Sequence, residues 1–338
     1  MAESWFLLGL GDQREALEVA AASTGRPAHL LEKDIWVVWA LAAIYSSDLA
    51  TKLTFKGGTS LSKVYKIIDR FSEDIDLTYD IRQIVPDMLK DGDPIPQTPS
   101  QAKKITDSVR ARLSGWIEAS VYPILDSALA RDGLQATLTL AGNARDKLIL
   151  GYVPTRTGTG YAAPTIQLEF GARATGEPNE RRNVTCDLAA CIEGVAFPTA
   201  TPLVMQAERT FWEKATAAHV YSRQGKLGGE RYSRHWYDLA AMYRSGYAQK
   251  AIANTALGRD VAVHKSMFFR ETDSSGMRID YLEAVNGSIQ LVPEGGALES
   301  LRGDYAAMLE DGLLSLHQPA FDEVMRACVI MQESINSR

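Results

Sequence analysis

The segment from Phe55 to Leu77, FKGGTSLSKVYKIIDRFSEDIDL, restricts the fold of this chain more than any other. Leu53-Thr54-Phe55 is predicted as a short strand, Gly57-Gly58 as a turn, and Ser60 to Ile68 as a helix with Leu61, Val64, Tyr65 and Ile68 on one face. Asp69 to Glu73 connects this helix to a second strand, Asp74 to Tyr79, where acid and apolar residues alternate with period two. Glycine permits close backbone approach, and the unpaired N–H groups at a helix start attract anions. Thr59 and Ser60 add hydroxyl donors, so the turn suits a triphosphate. Residues i and i+2 of a strand share a face. Asp74 and Asp76 therefore lie side by side, where they repel unless a cation intervenes. Mg²⁺ is held by one or two carboxylates together with substrate phosphates. A glycine pair alone is a common turn, and one acid alone is a common cap or surface residue. It is the combination that points to metal-assisted phosphoryl chemistry. The turn is not a Walker A loop, because no Gly-Lys-Ser/Thr closes it.

Around this unit the chain reads as α+β. Pro27 sits in the first turn of a helix from His29 to Tyr45, whose stretch Ile35–Tyr45 is apolar enough to be buried. Lys90 to Gln101 is a polar, proline-rich loop, and Ala102 to Ala130 is a helix kinked at Pro123. Strands are predicted at Ala136–Leu140, Lys147–Val153, Thr165–Phe170 and Asn183–Leu188, with Pro154–Gly160 as a hairpin-like loop. Helical patterns follow at Met205–Arg223, His235–Arg244, Leu301–Leu314 and Pro319–Ile335. The expected organisation is a mixed β-sheet core flanked by helices, residues 1–200 with the N-terminal helices, then a mostly helical part, 201–338.

At 338 residues, two packed subdomains are expected rather than one core. No apolar run approaches the ~20 residues of a membrane-spanning helix, and the N-terminus lacks a basic leader, so a cytoplasmic protein is expected. Three cysteines, Cys186, Cys191 and Cys328, make no disulfide framework and no zinc spacing. The net charge of −6 argues against a non-specific nucleic-acid coat but leaves room for a local basic patch.

Gly57-Gly58-Thr59-Ser60-Leu61, followed by Arg70-Phe71-Ser72-Glu73-Asp74-Ile75-Asp76-Leu77, resembles the AbiEii/AbiGii toxin family of the DNA polymerase beta-like nucleotidyltransferase superfamily. Glu208-Arg209-Thr210-Phe211-Trp212-Glu213-Lys214 resembles that family's lysine-bearing helix, and Arg234-His235-Trp236-Tyr237-Asp238-Leu239 its Arg-x-x-Tyr-Asp-Leu segment. Glu32-Lys33-Asp34 and the stretch around Asp304 to Met308 are similar to other members. The resemblance spans nearly the whole chain in scattered blocks, of which the first is highly specific.

The resemblance implies a nucleotidyltransferase-like fold and a toxin restrained by a cognate antitoxin. Asp74 and Asp76 then hold Mg²⁺, with Mn²⁺ as an alternative, and Glu169 is preferred over Asp187 as a third carboxylate. Gly57, Gly58, Thr59, Ser60 and Ser72 bind the nucleotide. Lys214 holds the phosphates, and Asp238 orients Lys214 or acts as a base. The substrate is an NTP, and the acceptor is an RNA, in particular the tRNA 3′ end. Plainer readings stand beside each role: a turn serine for Ser72, surface pairing of Lys214 with Glu213 or Glu208, and a local salt bridge from Asp238 to Arg234. Lys33 and Asp34 read equally as a helix-start charge pair, and Lys56 and Lys63 flank the phosphate turn. Arg173, Arg181, Arg182, Arg223, Lys226, Arg231 and Arg234 are the candidate RNA-facing cations. Transfer to a protein side chain or small molecule, or a non-catalytic nucleotide-binding module, remain the alternatives.

Overall fold

The computed structural model describes residues 2–70, 72, 74–155, 163–225, 227, 231–310 and 318–338. Phe71, Glu73, Lys226, most of the Pro154–Gly160 loop and the end of the Leu301–Leu314 helix lie outside the described residues. The chain forms two compact units, one of residues 1–64, 71–88 and 107–205, the other of 65–70, 89–106 and 206–338.

The first unit is built on a seven-stranded mixed sheet. In chain order its strands are β1 (Leu53–Lys56), β2 (Asp74–Tyr79), β3 (Ala136–Ala141), β4 (Lys147–Tyr152), β5 (Thr165–Gly171), β6 (Asn179–Arg181) and β7 (Leu203–Met205). They lie in the spatial order β3-β4-β5-β2-β1-β7-β6. Only β2–β5 and β1–β7 pair in parallel. The core strands alternate as a half-covered sheet requires: Leu148, Leu150 and Tyr152 of β4, and Ile166, Leu168 and Phe170 of β5, are buried, while the residues between them are not. The short strands β6 and β7 escape the period-two signal because three residues are too few to display it.

Numbering the helices longer than four residues, α1 (Leu10–Thr24), α2 (Ala28–Tyr45), α3 (Gly57–Lys63), α4 (Pro99–Trp116) and α5 (Tyr122–Asp132) come first. Every residue of α2 from Leu31 to Tyr45 except Ala42 is buried. A helix apolar on all sides must be surrounded, as expected for Ile35–Tyr45. Between α4 and α5, residues Ile117–Val121 form a π-helical turn just before Pro123. The missing proline N–H makes that widening the local solution to the expected kink.

The second unit is helical among its described residues. It contains α6 (Ala207–Gln224), α7 (Ser233–Arg244), α8 (Tyr247–Ala253), α9 (Thr255–Phe268), α10 (Gly296–Glu310) and α11 (Phe321–Asn336). α6 packs against α8 and α9, and α7 against α11. Trp212 of α6 is fully buried, and its indole donates to Ala251 O at 3.0 Å. Gly258 of α9 abuts that ring, where any Cβ would collide. The indole of Trp236 donates to Leu291 O at 2.6 Å.

Two local expectations are corrected. The helix predicted over Ser60–Ile68 ends at Lys63, and Lys66 adopts φ +53°. The apolar spacing that suggested one helix face serves two cores: Leu61 is buried in the first unit, whereas Ile68 is buried in the second and Tyr65 meets Tyr247 edge-on at 5.7 Å there. The strand predicted over Asn183–Leu188 shrinks to Val184–Thr185, because a 3-10 turn starts at Asp187.

Candidate active site

Asp74 and Asp76 open β2, both partly exposed and on one face, while Ile75 and Leu77 between and beyond them are fully buried. The register sets their neighbours. Asp76 lies opposite Lys56 of β1 and opposite Glu169 of β5; Asp74 lies opposite Gln167. Gln167 Nε2 donates to Asp74 Oδ1 at 3.3 Å and to Glu169 Oε1 at 2.5 Å. Lys147 of β4, directly across from Glu169, places its ammonium 2.5 Å from the same Oε1. Burial works against the charged form of Lys147, but Glu169, Asp74 and Asp146 outweigh it and raise its pKa. Lys147 and Gln167 became visible only with the register, since nothing in local spacing joins positions 147, 167 and 169 to Asp74.

Gly57 starts α3 with φ +80°, a conformation that favours glycine. A Cβ there would overlap the Asp76 carboxylate. The glycine therefore makes room for the Asp76 carboxylate itself, which packs against the start of α3. The hydroxyls beyond it are engaged inward. Ser60 is fully buried and its Oγ donates to Gly57 O at 2.9 Å, so it closes the helix turn. Thr59 Oγ1 lies 2.5 Å from Asp74 O and 2.9 Å from Ser72 Oγ. A hydroxyl carries one hydrogen; if Thr59 donates to the carbonyl, it accepts from Ser72. Thr59 thus ties α3 to the start of β2, and Ser72 is held beside Asp74.

The donor set suits a hard divalent cation. Two partly exposed carboxylates sit side by side, and oxygen ligands of this kind match Mg²⁺. Among the described residues, no three His, Cys, Asp or Glu side chains are grouped as a ready-made metal cage.

Asp187 lies in a different network. Lys63 Nζ is 2.5 Å from Asp34 Oδ1 and 2.8 Å from Asp187 Oδ1, and Arg26 Nη1 is 2.5 Å from Asp187 Oδ2. Asp187 N donates to Asp34 Oδ2 at 2.7 Å. Lys63 is buried, so it is neither a phosphate-facing cation nor a solvated helix residue. Burial pushes the Asp34 carboxyl up despite Lys63, while the two carboxylates overcome burial to raise Lys63. The neighbouring Glu32 and Lys33 are also buried: Glu32 accepts from Thr155 N at 2.8 Å and Lys33 donates to Ala163 O at 3.1 Å. Glu32-Lys33-Asp34 is therefore a buried clasp, with each residue holding a different segment.

In the second unit Asp238 of α7 is fully buried. Arg70 grips it in bidentate fashion, Nε to Oδ1 at 2.7 Å and Nη2 to Oδ2 at 2.8 Å, and Lys214 Nζ lies 2.8 Å from Oδ2. The plainer pairings are not the ones formed here: Asp238 is bound to Arg70 and Lys214, and Glu213 is bound to Arg209 at 3.3 Å. Burial alone would raise the Asp238 carboxyl, but the two cations hold it well below the usual carboxylate range. An anion so stabilised is a poor base; its geometry suits orienting Lys214. His235, one helical turn before Asp238, is kept neutral by burial and by Lys214 and Arg234. Its Nδ1 is buried without a hydrogen-bond partner among the described residues. Arg70 belongs to the quoted motif, yet its role depends on a residue 168 positions away, which sequence spacing does not reveal.

No helix of the described residues is long and apolar enough to cross a membrane. Comparison with curated proteins returns no match. Among solved structures, the chain is similar to MenT4, a nucleotidyltransferase toxin of Mycobacterium tuberculosis, at 16% identity with a TM-score of 0.38, covering 94% of this chain and 99% of that one. Residues 39–327 match the family described as nucleotidyl transferase AbiEii toxin, type IV TA system. The chain belongs to the AbiEii family of nucleotidyltransferase toxins of type IV toxin–antitoxin systems.

Proposed function

We propose that this toxin transfers NMP from an NTP to an RNA acceptor, the tRNA 3′ end in particular, with release of pyrophosphate and with Mg²⁺ held by Asp74 and Asp76. The observation that carries the reading is the acid pair on one face of β2, with Gly57 at the start of α3 making room for the Asp76 carboxylate. A cation bound there supplies charge neutralisation at the transferring phosphorus. The backbone of Gly57-Gly58 contacts the nucleotide, while Thr59, Ser60 and Ser72 shape the turn from behind. Lys214, oriented by Asp238, binds phosphate oxygens in the same reaction. An acceptor hydroxyl, losing its proton near the acid pair, attacks the α-phosphorus in line.

The acceptor is the finer part of the reading. It is supported by the family resemblance and by exposed arginines, among them Arg181, Arg182, Arg223 and Arg234, which suit contacts to phosphates. Two of these already have carboxylate partners, Arg182 with Glu180 and Arg223 with Asp273. Family membership also implies a cognate antitoxin.

The test is transfer of label. Purified protein is incubated with Mg²⁺, each α-labelled NTP in turn and total cellular RNA, with Asp74→Ala as control. Label in tRNA-sized RNA that disappears in the control supports the proposal and names the base. Label in protein or in a small molecule keeps the chemistry and overturns the RNA acceptor.

A further inference from the structure

The four central strands carry a row of directly paired residues: Lys147 of β4, Glu169 of β5, Asp76 of β2 and Lys56 of β1. Residues paired across a sheet share a face, so a lysine stands at each end of the row and two carboxylates lie between. Glu169 is held on one oxygen by two donors, the Lys147 ammonium and the Gln167 amide, each at 2.5 Å. Gln167 also reaches Asp74 at 3.3 Å, which joins Glu169 to the acid pair through a neutral bridge.

We propose that the centre operates with a single divalent cation on Asp74 and Asp76, and that Lys147, fixed on Glu169, supplies the further positive charge as part of the protein. The inference rests on the reading of Asp74 and Asp76 as cation ligands. Its physical basis is like-charge exclusion. A second cation approaching the other oxygen of Glu169 would meet an ammonium already seated on that carboxylate, and to ligate fully it would have to displace both donors. Lys147 offsets Glu169, so that carboxylate adds no net charge with which to hold a second ion. Glu169 thereby becomes a positioning residue: it fixes Lys147 beside the acids and ligates nothing.

The experiment counts Mn²⁺ ions bound to the full-length protein by electron paramagnetic resonance, using Mn²⁺ alone as the probe. Thermal melts followed by circular dichroism check that each variant is folded; Lys147 and Glu169 are each about one-third exposed, so their replacement is tolerable. Wild type is expected to bind one ion. Glu169→Gln should bind it with affinity within threefold of wild type, Lys147→Arg should keep one site, and Lys147→Met should gain a second. Asp74→Asn should weaken binding at least tenfold. Two ions on wild type, a tenfold loss in Glu169→Gln, or an unchanged single site in Lys147→Met would overturn the assignment of Lys147 and Glu169 while leaving the acid pair standing. Absence of Mn²⁺ binding by wild type, or an Asp74→Asn variant that binds normally, would instead remove the acid pair as the ligand and the inference with it.

Discussion

At the scale of single residues, chemistry and stability separate. Asp74 is partly exposed and shares a face of β2 with Asp76, so its carboxylate is placed for a cation rather than for the core. Asp74→Asn is expected to lower nucleotidyl transfer by about a hundredfold or more, yet to leave the unfolding free energy within about 0.5 kcal/mol of wild type. A coincident collapse of thermal stability would show that the acid is structural. Gly57 behaves differently. Gly57→Ala forces a side chain into a positive-φ position and against the Asp76 carboxylate. Backbone strain alone costs about 1–2 kcal/mol, and Asp76 must move, so activity and melting temperature should fall together. Asp238 represents a third situation. It is fully buried between Arg70 and Lys214, and Asp238→Asn leaves two cations short of a partner. Breaking a buried pair from one side costs about 3–5 kcal/mol, to be read from urea midpoints.

At the scale of elements, the same ion cluster sets a pH dependence. The folded pKa of Asp238 lies below its ordinary value of 3.8. The group therefore contributes its stability fully above about pH 4, and this contribution is lost as pH falls further. The urea midpoint of wild type should hold from neutrality to about pH 4 and then drop; subtracting the Asp238→Asn curve should remove part of that drop. A difference that grows on the alkaline side would contradict the sign. The elements themselves were legible wherever a period had room to repeat. The β2 strand and the buried α2 follow from alternation and from an all-round apolar run. The strands β6 and β7 are too short to show a period, and Ser60–Ile68 looked like one helix because its apolar residues are divided between two cores. The ion pairs of Lys63 with Asp34 and Asp187, and of Arg70 with Asp238, were not legible for a simpler reason. Each joins segments more than twenty residues apart, and a sequence displays only neighbours. The acid pair could be found because its two members are i and i+2 on one strand.

At the scale of the whole molecule, the family assignment makes growth the natural readout. Expression of wild type should slow growth of a host lacking the antitoxin, and Asp76→Ala, which removes one of the two acids on β2, should not. Equal colony yields from both would count against toxicity by this chemistry. The division of the chain carries a further consequence. Residues 65–70 belong to the second unit, although the acid-bearing strand that follows them belongs to the first. Arg70 leaves the ribosome 168 residues before Asp238, the carboxylate that receives it. At ordinary elongation rates that interval lasts about ten to thirty seconds. During much of it a nascent chain carries the acid pair but not the helix bearing Lys214, and its Arg70 lacks the Asp238 carboxylate. Protease sensitivity of ribosome-stalled chains near Arg70 should persist until the stall point clears Asp238 and then vanish. A chain stalled before residue 214 is expected to transfer no nucleotide, which a labelling assay on stalled chains would check.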